Sequence, residues 1–148
     1  MSLAPPSFKY VESFTVTGFS ARTKNSDEFM EKTAKIPALW QQLYSSNLAA
    51  NTSLFGVYSD YQSDANGLYT ITVGTQESNL HSYPSSIKIH TGNYLVFHGK
   101  GPMPLAVIET WKHIWNYFET NHQNKRNFIS DFELYDGVDE VSIYIGIN

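Results

Sequence analysis

Two stretches decide how this chain folds: Pro37-Ala38-Leu39-Trp40-Gln41-Gln42-Leu43-Tyr44 and Ile108-Glu109-Thr110-Trp111-Lys112-His113-Ile114-Trp115. Each carries apolar and aromatic residues at helical spacing, and they align position for position: Trp40 with Trp111, Leu43 with Ile114, Tyr44 with Trp115. Downstream of each lies a second matching pair, Thr70-Ile71-Thr72-Val73-Gly74 and Ser142-Ile143-Tyr144-Ile145-Gly146, whose alternation predicts strands. Tyr61 answers Tyr135 in the strands just before. Matching elements in matching order indicate an internal duplication of a βαββ unit. Two such units side by side predict an α+β fold with pseudo-twofold symmetry: an antiparallel sheet with two main helices on one face and a central cleft between them.

Working outward, a first strand is expected from about Tyr10 to Arg22, bent or bulged at Gly18. Asn25 followed by Glu28 has the form of a capping box at a helix start, and Pro37 suits the first turn of the helix carrying Trp40. Strands are expected over 54–61 and 68–76, joined by a turn at Ser63-Asp64-Ala65-Asn66-Gly67. Loops are expected over 47–53 and 77–86. A long strand follows over 87–99 with a break at Thr91-Gly92, then a helix beginning near Pro104. Its expected apolar stripe is Leu105, Ile108, Trp111, Trp115 and Phe118. The final hairpin runs through Asp131-Phe132-Glu133-Leu134-Tyr135 into Val141, Ile143, Ile145 and Ile147. The chain is read as one domain, 1–148, with a loose tail over 1–8.

The 148 residues carry a net charge of −4, with ten Lys and Arg scattered along the chain. That argues against direct nucleic-acid binding through a basic surface. Cysteine is absent, which removes disulfides and thiolate chemistry. No stretch approaches the roughly 20 apolar residues of a membrane span, and no signal peptide is legible, so a cytoplasmic protein with no membrane partner is expected. The five histidines lack metal-ligand spacing, Gly99-Lys100-Gly101 lacks the ending of a phosphate loop, and no cofactor or metal is expected. Asn51-Thr52-Ser53 fits a glycosylation acceptor only by chance.

Aromatic residues make up 15% of the chain, including ten tyrosines. Within this background Glu133 places a carboxylate in a strand that otherwise reads as buried, and an isolated buried charge is costly. It requires a proton, a partner within the protein or a cation from outside. Strand parity puts Glu133 with Tyr135 and opposite Phe132, and Tyr69 with Ile71 and Val73. Tyr58 and Tyr61 fall on opposite faces of a regular strand, so one of them at most would line the cleft. The candidate ligand-binding residues are Glu133, Trp40, Trp111, Tyr69, Tyr58 and Tyr135, with no catalytic residue assigned. The competing readings are core packing for the aromatics and, for Glu133, solvent exposure or pairing with Lys100 or Arg126.

The order and spacing of these segments resemble the GyrI-like family, the effector-binding domain of bacterial transcription activators. The residues that carry the likeness are Ile36-Pro37-Ala38-Leu39-Trp40, Gly56-Val57-Tyr58-Ser59-Asp60-Tyr61, Gly67 to Gly74, Gly92-Asn93-Tyr94-Leu95-Val96-Phe97, Lys100-Gly101-Pro102, Glu109-Thr110-Trp111 with Trp115-Asn116-Tyr117-Phe118, and Asp131-Phe132-Glu133. The resemblance spans about residues 9–147. It implies the duplicated βαββ fold and a cleft that binds small, hydrophobic, cationic molecules, with a buried glutamate matching Glu133. Many members add a helix-turn-helix region; this chain is expected to resemble the stand-alone members, including those of mobile gene cassettes. It would then sequester or sense its ligand as a monomer or weak homodimer, with a regulatory protein as a further partner. Two alternatives stand beside this: a hydrolase of reactive small molecules using Glu133 as general base, with no second acid evident nearby, and a topoisomerase-inhibitor-like interaction module.

Overall fold

A computed structural model describes residues 5–46, 53–76 and 84–148. Its elements are β1 (Ser7–Val11), β2 (Thr15–Thr23), α1 (Asn25–Glu28), α2 (Ile36–Tyr44), β3 (Leu54–Ser59), β4 (Tyr69–Thr75), β5 (Ser85–Lys88), β6 (Gly92–Lys100), α3 (Leu105–Thr120), β7 (Arg126–Tyr135) and β8 (Glu140–Ile147). All strands join one sheet in the order β1-β6-β8-β7-β3-β4-β2-β5, antiparallel throughout. This order reads the same from either edge once each strand of the first half is exchanged for its counterpart in the second. It is the order a twofold duplication gives.

The first strand of each half is divided. The expected break at Thr91-Gly92 separates β5 from β6, and an unforeseen one separates β1 from β2. Each half thereby lends a short strand to the sheet edge of the other: β1 pairs with β6, and β5 with β2. The expected tail is correspondingly shorter, because Ser7 and Phe8 already pair with Val96 and Leu95. Residues 1–4 lie outside the described residues, as do 47–52 and 77–83, which hold most of the two expected loops and the Asn51-Thr52 part of the glycosylation pattern. Gly18 serves a close approach: it lies opposite Gly74, and a Cβ there would fall 1.9 Å from the carbonyl oxygen of Val73.

Both main helices cover the same sheet face. Leu39 and Leu43 of α2 pack on Tyr58, Tyr69, Ile71 and Val73. Ile114 of α3 packs on Leu95, Phe97, Val141, Ile143, Ile145 and Ile147. Trp111 touches both clusters and so lies on the seam between them. The reverse face buries Val16, Phe55, Val57, Ile89, Tyr94 and Phe132, with Val11 and Phe14 laid over them.

Three local expectations are corrected. Glu28 does not close a capping box on α1; its carboxylate accepts the backbone N–H groups of Lys35 (2.9 Å) and Ile36 (3.0 Å), and so caps the start of α2. The buried face of α3 is Ala106, Thr110 and Ile114, while Leu105 and Ile108 are exposed. The helix is turned this way because Thr110 lies in the space left by Gly99, where a Cβ would come within 2.0 Å of its hydroxyl; this keeps Trp111 and Trp115 half-buried on the flank of the helix. Finally, β3 ends at Ser59, and Asp60 takes a left-handed backbone conformation (φ 49°). Strand parity therefore lapses before Tyr61, whose ring returns to the side of Tyr69, 6.0 Å away. Among the described residues no helix is long and apolar enough to cross a membrane.

Candidate functional site

Cross-strand register lines up Phe19, Val73, Gly56, Glu133, Ile143 and Phe97 as one row across the helix-covered face. Glu133 sits in the middle of this row, on β7, at the junction of the two halves. The register shift in β7 falls between Arg126 and Asp131, upstream of the site, so the alternation that turns Glu133 and Tyr135 to the same face is preserved.

Glu133 is 3% exposed. Three aromatic side chains donate to it: Trp111 Nε1 to Oε2 at 2.7 Å, Tyr58 O–H to Oε2 at 2.8 Å and Tyr135 O–H to Oε1 at 2.8 Å. Burial pushes its carboxyl above the ordinary glutamate range, and the donors from Trp111, Tyr135 and Tyr58 pull it part of the way back. The same burial, with the carboxylate alongside, holds the Tyr58 and Tyr135 hydroxyls well above the usual tyrosine range, so both stay protonated as donors. Neither pairing considered from the sequence occurs. Lys100 pairs with Glu140, Arg126 pairs with Asp131, and Glu133 has no ion pair among the described residues.

The remaining candidates form a second layer. Trp40 packs edge-to-face on Tyr135, with ring centres 5.1 Å apart. Tyr69 packs on Tyr58 at 5.2 Å and donates its hydroxyl to Asn25 Oδ1, so it supports Tyr58 rather than bonding to Glu133. Trp111 itself lies edge-on to Tyr58 at 5.2 Å. The repeat alignment has a geometric counterpart here: Trp40–Tyr44 and Trp111–Trp115 each lie 6.1 Å apart, at interplanar angles of 32° and 33°.

Two neighbours of Glu133 escaped the sequence reading. Gly56 faces it across the β3–β7 pair, and a Cβ there would stand 2.7 Å from Glu133 Oε1 and 3.4 Å from Trp40. A glycine inside an apolar strand is the signal that would have pointed to such a close approach. Asp131 is a second buried acid on the same face, two residues away, and strand parity would have found it. It accepts from Arg126 Nη2 at 2.7 Å, from Gly146 N at 2.8 Å and from the Tyr61 hydroxyl. Asp131 is thus paired with a cation within the protein, whereas among the described residues Glu133 is held by dipolar donors.

Proteins of similar sequence and structure share this architecture. Residues 7–147 match the family model for the integron-associated effector binding protein. The Bacillus subtilis (strain 168) protein YobU, whose name places it among transcriptional regulators, is 36% identical over 130 residues, covering 80% of this chain and 79% of that protein. Among solved structures, an integron cassette protein from the mobile metagenome of Vibrio cholerae superimposes with a TM-score of 0.90 at 32% identity, over 99% of this chain and 97% of that one. The protein SAV2435, solved bound to tetraphenylphosphonium, shares the fold with a TM-score of 0.72 at 19% identity, over 98% of this chain and 94% of that one. The chain belongs to the family of integron-associated effector binding proteins.

Proposed function

We propose that the protein binds hydrophobic cationic small molecules, with Glu133 as the countercharge and Trp40, Trp111, Tyr58, Tyr69 and Tyr135 as the aromatic surround. The observation that carries this reading is a buried carboxylate with three aromatic donors and, among the described residues, no cation paired with it. Such a group is costly to ionise in place, and an incoming cation removes much of that cost. The ring faces around it add cation–π attraction, about 0.5–2 kcal/mol per contact. That a protein of the same fold is known bound to tetraphenylphosphonium, a lipophilic cation, supports the choice of ligand class. In this reading the protein either holds the compound out of free solution or reports its presence to another chain. A hydrolytic role is less well supported, because both oxygens of Glu133 are occupied by donors and the neighbouring Asp131 is neutralised by Arg126.

The test is a titration followed by tryptophan fluorescence, with a rhodamine-type cationic dye and a neutral analogue. Glu133→Gln keeps the shape and removes the charge. It should weaken the cationic dye about tenfold or more, the scale of a charge-assisted contact, and leave the neutral one nearly unchanged. Equal losses for both dyes would remove Glu133 from the role of countercharge.

A further inference from the structure

The aromatic contacts do not stop at Glu133. From Trp111 they continue along α3 to Trp115 at 6.1 Å, and from there across to Phe29 at 6.2 Å, edge-to-face at 85°. Phe29 belongs to the segment joining α1 to α2, which has no equivalent in the second half, where residues 101–104 lead directly from β6 into α3. The first half thereby reaches over to the helix of the second. Phe29 is 71% exposed, although it closes a continuous series of rings that begins at a buried carboxylate. Tyr44, the repeat-related counterpart of Trp115, is 64% exposed and has no ring of this kind set against it among the described contacts. The two ends of the site therefore differ, and the Phe29 end is the one built from two elements.

Resting on the assignment of Glu133 as countercharge, we infer that Phe29 and Trp115 form an outer subsite for a second aromatic group of the ligand. The class of molecule it favours is an extended aryl cation, one whose distal ring lies roughly two ring widths from the charged atom. The argument for this occupant is continuity. Trp111 both donates to Glu133 and packs on Trp115, so a ligand whose charge meets the carboxylate extends along the same flank of α3 to reach Phe29. An edge-to-face contact between a mostly exposed Phe29 and a half-buried Trp115 is weak enough to open and admit a ring. Phe29 is accordingly a specificity residue for ligand length.

The test compares benzyltrimethylammonium with its (4-biphenylyl)methyl analogue, which carries the same charge and one further ring. Phe29→Ala should weaken the biphenyl probe about two- to tenfold, the range of one aromatic contact, and leave the benzyl probe unchanged. Phe29→Trp should retain the biphenyl affinity. Glu133→Gln should weaken both probes. If Phe29→Ala affects the two probes equally, or neither, while Glu133→Gln still weakens both, the outer subsite is overturned and the countercharge stands. If Glu133→Gln leaves both unchanged, or if neither probe binds the wild-type protein, the underlying assignment fails and the subsite with it.

Discussion

Gly56→Ala is the sharpest probe of the site, because it adds one carbon at a known place. The methyl would stand 2.7 Å from Glu133 Oε1, well inside contact distance, and 3.4 Å from Trp40. Gly56 lies in β3 without a positive φ, so alanine brings no backbone strain there and the effect is one of space alone. The end of a glutamate is normally easy to displace, but this one is tethered by three hydrogen bonds of 2.7–2.8 Å. The oxygen that must move is the one accepting from Tyr135. Losing a hydrogen bond to a charged group costs about 1.5–3 kcal/mol. For a chain of this size that lowers Tm by roughly 3–12 °C. The assay is a double-mutant cycle in urea, with Gly56→Ala, Glu133→Ala and both together. Once Glu133 is shortened, the new methyl has room, so the double variant should recover most of the Gly56→Ala loss, a coupling of about 1.5–3 kcal/mol. Costs that add to within about 0.5 kcal/mol would mean that Gly56 and Glu133 do not compete for the same space, and the described site would be wrong.

Acidity offers a second check, with two signs. The Glu133 carboxyl is raised by burial, so between its unfolded value, near 4.5, and its higher folded value the native state holds the proton more tightly. Stability should therefore fall as pH rises through that window, and cation affinity should rise as the carboxylate forms. Urea midpoints measured across the window should show the falling slope in the wild type and lose it in Glu133→Gln. Arg126→Met should be far more damaging than its position near the start of β7 suggests: it strands Asp131, whose side chain is fully buried, at a cost of about 3–5 kcal/mol in a denaturation midpoint. Restoration by the double variant with Asp131→Asn would confirm the cause. Glu28→Ala removes the cap of α2 and should cost about 1–2 kcal/mol; because α2 carries Trp40, the tryptophan emission should shift as well.

The repeated order of elements was legible because it is written in side-chain types at fixed spacing: Trp40 and Trp111, with Tyr44 and Trp115 one turn on, keep nearly the same ring geometry. The alternation around Glu133 placed it correctly because no irregularity falls between Asp131 and Tyr135. What escaped depends on contacts distant in sequence. Nothing local shows that Glu28 will bond to Lys35 and Ile36 rather than cap its own short helix. The exposure of Leu105 and Ile108 follows from Thr110 settling against Gly99, a packing choice that a helical period does not reveal. The expectation that Tyr58 and Tyr61 lie on opposite faces fails because it takes for granted a regular strand, and the strand ends at Ser59.

The protein contains its own control for the meaning of Glu133. Asp131 and Glu133 share a strand and a face, and both are buried beneath aromatic side chains. Both accept tyrosine hydroxyls: Asp131 from Tyr61, Glu133 from Tyr58 and Tyr135. They differ in what balances the charge. Asp131 has Arg126, itself largely buried and packed over the ring of Phe128 at 4.4 Å. Glu133 has an indole N–H in the corresponding role, a dipole where its neighbour has a cation. A fold that needed both acids only for architecture had a solution to hand two residues away and did not repeat it. Dipolar donors can hold a carboxylate in place without neutralising it, so a charge brought from outside meets an acceptor that is positioned but not yet paired. That distinction, more than burial or aromatic content, is the ground on which the proposed function gives Glu133 a binding role and Asp131 a structural one.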